Sequence, residues 1–145
     1  MVKTNREELS VIKFTIKLPP ITKKNHQQLI FNRNTGHRMV IPSPQYKRYE
    51  HDAAYFMPPT KAEGTVNVKA LFYMPTHRRV DLVNLLQALL DILVKYGVIE
   101  DDNSNIVVSV DGSRVLYDKE NSRTEVEITE VQSECNFRFQ QRSIL

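Results

Sequence analysis

Leucine occupies positions 82, 85, 86, 89 and 93 of this chain. Spacings of three and four residues place these side chains along one side of a helix. A stripe of that kind must be covered by another layer, so the chain has to fold around this helix. Lys95 in the last turn and Gly97 as the capping residue set its end near Tyr96-Gly97. At about 100° per residue, Asp81, Asn84, Ala88, Asp91 and Lys95 share a polar arc of roughly 80° opposite the leucines. The helix is charged at both ends. His77, Arg78 and Arg79 precede it, and Glu100, Asp101 and Asp102 follow it.

The remaining elements are read from period and punctuation. Val11–Leu18 alternates and stops at Pro19-Pro20, which marks a strand. Residues 21–42 are polar and read as a long loop, with room for a short hairpin at Asn34–Gly36. Ser43-Pro44 opens a first helix through QYKRYEHDAAYFM, and Pro58-Pro59 closes it. Val66–Met74 is a strand closed by Pro75. Ile106–Tyr117 and Thr124–Val131 are strands joined by DKENSR. Asp111-Gly112 is either a tight hairpin turn or a bulge in one long strand. This order predicts an α+β domain, a mixed sheet of about four to five strands with two helices on one face. The chain of 145 residues reads as a single domain, with residues 132–145 as a C-terminal extension without clear period.

Composition removes several function classes. No apolar run approaches the ~20 residues that span a bilayer. The N-terminus has no apolar core followed by a cleavage site, so no signal peptide is expected. The single cysteine, Cys135, cannot form an intramolecular disulfide or a multi-cysteine zinc site and points to a reducing, cytoplasmic setting. A net charge of +3 permits a nucleic-acid partner without requiring one. The histidines His26, His37, His51 and His77 show no metal-ligand spacing. Tyr46, Tyr49, Tyr55 and Phe56 on the first helix suit core packing or a subunit contact better than base stacking.

The charged flanks have an ordinary explanation. Asp81 is a first-turn or capping acid, Asp91 and Lys95 form an i,i+4 pair worth ~0.5 kcal/mol at most, and the arginines are solvated. They also have a chemical one. Carboxylates beside water and phosphate are what Mg²⁺ takes as ligands, and the ion can polarise a phosphodiester and activate water. Arg78 and Arg79 would hold phosphate oxygens. Lys23, Lys24, Asn25 and Arg33 are candidates for contacts to a DNA backbone.

The stretch HRRVDLVNLLQALLDILVKYGVIEDDNSNIVV resembles the RusA family of Holliday-junction resolvases. That family has a strand, a basic run, Asp-x-Asp-Asn-Leu opening a helix, and an Asp-Asp pair about twenty residues later. KKNHQQ, TGHRMVIPSPQY and the closing TEVEITE extend the resemblance over about residues 12–131. It implies a homodimer of α+β subunits that binds four-way DNA junctions and, with Mg²⁺, makes paired symmetric nicks. Members are often encoded by phages and prophages. Carried over, Asp81 and Asp102 are metal ligands with Asp101 beside them, and Asp91 is a further acid able to support the ion. His77, Arg78, Arg79 and Asn84 would meet DNA. The chain departs from the pattern twice: Val83 stands where the second acid of Asp-x-Asp belongs, and Gln87 replaces the helper lysine. Val83 lies about 200° from Asp81 around a regular helix, at the edge of the leucine side. Three functions follow. One is a junction resolvase. The second is a junction-binding protein of the same fold with impaired cleavage. The third is an α+β interaction module with no nucleic-acid role. If the first holds, the helix is a spacer and the chain after Gly97 returns to bring Asp102 alongside Asp81.

Overall fold

The alternating segments become strands whose odd and even positions face opposite ways. The computed structural model describes residues 10–23, 27–31 and 33–131; Lys24, Asn25, His26, Cys135 and the 132–145 extension lie outside them. Strand β1 (Val11–Ile16) pairs antiparallel with β7 (Arg123–Glu130), from Val11↔Thr129 to Ile16↔Thr124. Strand β7 pairs antiparallel with β4 (Val66–Met74), from Val66↔Glu130 to Tyr73↔Arg123. On its other side β4 carries two short strands, both parallel to it: β5 (Val107–Ser109) and β6 (Arg114–Tyr117). The result is the mixed five-stranded sheet that the element order predicts.

The Asp111-Gly112 alternative is thereby decided. Strands β5 and β6 run in the same direction along β4, so the pair interrupts one strand and turns no hairpin. Gly112 has φ 85°, a conformation that costs glycine little. Across the interruption side chains bridge to β4. The Asn67 Oδ1 accepts from the Asp111 amide at 2.8 Å and from Ser109 Oγ at 2.5 Å. The Ser113 hydroxyl accepts from the Ala70 amide at 3.0 Å and donates to the Val68 carbonyl at 3.3 Å.

Residues 21–42 depart from the expected long loop. Strands β2 (Gln27–Phe31) and β3 (Arg38–Pro42) form a separate antiparallel hairpin, registered from Gln27↔Pro42 to Phe31↔Arg38. Its turn includes the expected Asn34–Gly36, with Gly36 at φ 68°. Neither QQLIF nor RMVIP shows the apolar–polar alternation that marks the other strands. Helix α1 (Pro44–Ala53) starts as read: the Ser43 hydroxyl accepts from the Tyr46 amide at 3.2 Å, and proline fills the first turn. A 3-10 turn at Ala54–Phe56 ends it before Pro58.

Helix α2 (Leu82–Lys95) follows the predicted span, and Gly97 closes it at φ 72°. It buries Leu85, Leu86, Ala88, Leu89, Ile92 and Leu93. They meet Val66, Val68, Ala70 and Phe72 of β4 and Val126 and Ile128 of β7, with Tyr49 and Ala53 of α1 completing the same core. Both helices thus cover one sheet face. Among the described residues no helix is long and apolar enough to cross a membrane.

Leu93 is fully buried in this contact. Leu93→Ala is expected to cost about 2–5 kcal/mol in urea unfolding, whereas Val83→Ala, at an exposed position, should stay within about 0.5 kcal/mol of wild type.

Candidate functional site

Helix α2 connects two loops of opposite charge. At its entrance Asp81 sits on extended backbone, φ −86° and ψ 123°. Its carbonyl accepts the first helical bond, from the Leu85 amide at 3.1 Å. Its carboxylate caps nothing; Oδ2 instead accepts from the Asn84 side-chain amide at 3.2 Å. The capping explanation therefore accounts for the position of Asp81 and not for its side chain. Asn84 holds the carboxylate near the surface, free of the helix's own N–H groups. Val83, expected at the edge of the leucine side, is 73% exposed. It lies about 140° from the centre of the stripe formed by Leu85, Leu86, Ala88, Leu89, Ile92 and Leu93. Gln87 is exposed as well.

The polar arc of α2 is only partly solvated: Asp81 and Lys95 are exposed, while Asn84 and Asp91 are half-buried. Ala88 is buried, and α1 packs alongside. The Tyr96 hydroxyl donates to the Glu50 carbonyl at 2.7 Å, and Lys95 pairs with the Glu50 carboxylate. The expected Asp91–Lys95 pair gives way to these contacts, because Asp91 faces Lys23 at 3.7 Å instead. Burial raises the Asp91 carboxyl above the ordinary carboxylate range, and the charges of Asp102 and Glu50 push the same way against the pull of Lys23. The Tyr46 hydroxyl is buried here without a hydrogen-bond partner among the described residues. Burial, then the charges of Glu50 and Asp91, suppress its ionisation.

After Val98 and Ile99, which are buried, the acidic loop is exposed. Asp101 braces it. Its Oδ1 accepts from the Asp102 amide at 2.7 Å and its Oδ2 from the Asn103 side-chain amide at 2.9 Å, and these bonds hold its carboxyl below the usual range. The Asn103 side chain in turn accepts from the Asn105 amide at 2.9 Å. Asp102 is thus presented from a cross-braced turn, within electrostatic reach of Asp91 on the helix.

The basic residues His77, Arg78 and Arg79 are exposed on the loop between β4 and α2. Arg33 is exposed at the hairpin turn, and Lys23 is committed to Asp91. Sequence reading missed three participants. Glu50 and Tyr46 reach the acids from α1, and only the packing of α1 on α2 reveals it. Tyr117 stacks on His77, and its one sequence signal was an aromatic residue at the end of a strand.

Among the described residues no three His, Cys, Asp or Glu side chains form a ready metal cage. Mg²⁺ needs less than that: one or two carboxylates, with water and substrate phosphate completing its shell. Asp91 and Asp102 fit that smaller demand, being hard oxygen donors whose mutual repulsion a cation relieves.

A family model described as Endodeoxyribonuclease RusA matches residues 17–129, which takes in both charged loops and the helix between them. No curated protein matches the chain.

The raised Asp91 carboxyl has a measurable consequence. The folded chain holds this proton to higher pH than the unfolded chain, so its charge lowers stability as pH rises through that window. In EDTA, Asp91→Asn should therefore be more stable than wild type in urea unfolding at pH 7. The advantage should vanish below the ordinary carboxylate pKa of about 3.9.

Proposed function

The chain belongs to the RusA endodeoxyribonuclease family, and on that premise we propose that it resolves four-way DNA junctions as a homodimer, by Mg²⁺-dependent paired nicking. The observation that supports this reading is the family match over residues 17–129, which takes in Asp81, Asp91 and Asp102 and both charged loops, with Asp102 in electrostatic reach of the half-buried Asp91. Asp102 and Asp91 are the proposed ligands, with Asp81 joining from the helix entrance. Bound there, the ion supplies polarisation of the scissile phosphate and activation of water.

The protein's own groups do the rest. Arg78 and Arg79 grip phosphate oxygens through paired N–H donors. Asn84 orients the Asp81 carboxylate, and Asp101 keeps the loop in the shape that presents Asp102. Lys24, Asn25 and Arg33 follow the backbone of a DNA arm, while Lys23 stays beside Asp91. Two subunits related by a two-fold axis give two sites for the two strands of a symmetric junction.

The second reading, a junction-binding protein impaired in cleavage, is favoured by Val83 and Gln87. Both stand on the exposed side of α2, where a carboxylate and an ammonium would need no burial. One experiment separates the two: cleavage of a mobile four-way junction, with Mg²⁺ and with EDTA. For a resolvase, wild type makes paired nicks only with metal, and Asp102→Asn lowers the rate about a hundredfold or more, the scale of losing one group that meets transition-state charge. Binding without nicking, restored to nicking by Val83→Asp, establishes the impaired binder. No preference for a junction over duplex at any salt concentration removes both.

A further inference from the structure

The basic loop carries a feature that phosphate binding does not use. Tyr117 ends β6, and its ring lies on the imidazole of His77 with centroids 3.7 Å apart and planes 25° from parallel. The register explains the meeting. Met74 and Tyr117 are partners at the ends of parallel β4 and β6, and the Asp118 amide donates to the Met74 carbonyl at 2.9 Å. The strand that ends at Tyr117 is therefore held against the loop that starts after Met74.

The pair is not core. Tyr117 is 44% exposed, and His77 is exposed too. Both rings line a cavity of about 230 Å³ with Thr76, Arg78, Val115 and Leu116. Arg78 also borders the adjoining cavity of about 390 Å³, together with Arg79. The nearby acid, Asp118, is paired with Arg123 at 3.0 Å, so it offers a phosphate little repulsion. An apolar, aromatic recess with cations on its rim complements a flat base on an anionic backbone. Bases inside a duplex have both faces covered, so such a recess discriminates in favour of bases that have left the stack.

We propose that His77 and Tyr117 form a stacking platform for an unpaired nucleobase of a DNA strand whose phosphates are held by Arg78 and Arg79. The proposal rests on the junction reading of this site and names what the site selects: a base unstacked at a branch point. The rival explanation is structural, with Tyr117 only pinning the loop to the sheet.

The test uses the full chain in EDTA with three DNAs carrying 2-aminopurine: a four-way junction labelled at the crossover, a single strand and a duplex. The expected result is quenching of the label in the junction and single strand. Tyr117→Phe keeps that quenching. Tyr117→Leu, which retains apolar bulk, and His77→Ala, which attacks the stack from its other side, reduce it and weaken binding to those two DNAs about tenfold. Duplex binding stays within about twofold of wild type. Unchanged quenching in both variants overturns the platform, as does an equal loss of binding to all three DNAs, which marks a loop-pinning role. Wild type that binds junctions without quenching also defeats it while leaving the junction reading intact. Quenching of the single strand with no preference for junctions supports the platform and defeats the junction reading.

Discussion

Two strands parallel to β4 can exist only if the chain first travels back along the sheet, and α2 is that return path. At 1.5 Å per residue its fourteen residues span about 21 Å. The leucine stripe fixes which side of this helix meets β4 and β7, since any rotation would expose Leu85, Leu89 and Leu93 together. Everything chemical follows from that choice. The basic loop leaves β4 at one end of the helix, the acidic loop leaves the helix at the other, and the polar arc turns toward α1.

That last contact changes the character of the arc. A carboxylate on a solvated helix face has its ordinary acidity and is indifferent to its neighbours beyond a few ångströms of water. Asp91 is half-buried beside Asp102 and Glu50, so each added negative charge there works against folding. Lys23 and Lys95 offset part of this from opposite ends. The arrangement arises from two helices packing together, and among the described residues it contains no ready metal cage.

The elements whose period matched their burial could be read from the sequence. Val66–Met74 alternates because alternate residues enter the core, and α2 repeats every three to four residues because one stripe does. The positions of Asp81 at the start of α2 and of Asp102 in the loop after it could also be read from the sequence. Three things were hidden. The β2–β3 hairpin lacks the alternation that a half-buried strand shows. Asp91 and Lys95 look like partners at i,i+4 spacing, yet each finds a nearer opposite charge, since tertiary contacts outweigh an exposed pair worth a few tenths of a kcal/mol. Tyr117 and His77 stand forty residues apart in the chain and meet only because β6 runs parallel to β4, a pairing that no local pattern encodes.

The two departures from the family pattern bear on folding very little. Val83 and Gln87 are exposed, so acid or lysine at those positions would fold equally well, and the choice there is one of chemistry. Asp91 is the opposite case. Asparagine would satisfy the same space without the penalty of burying charge near Asp102 and Glu50. A chain that had given up cation binding would gain stability from that exchange, whereas one that still binds a cation recovers the loss on binding. At Asp91, unlike at Val83 and Gln87, the choice of residue therefore bears on folding and on chemistry together, because a carboxylate there meets the charges of Asp102 and Glu50.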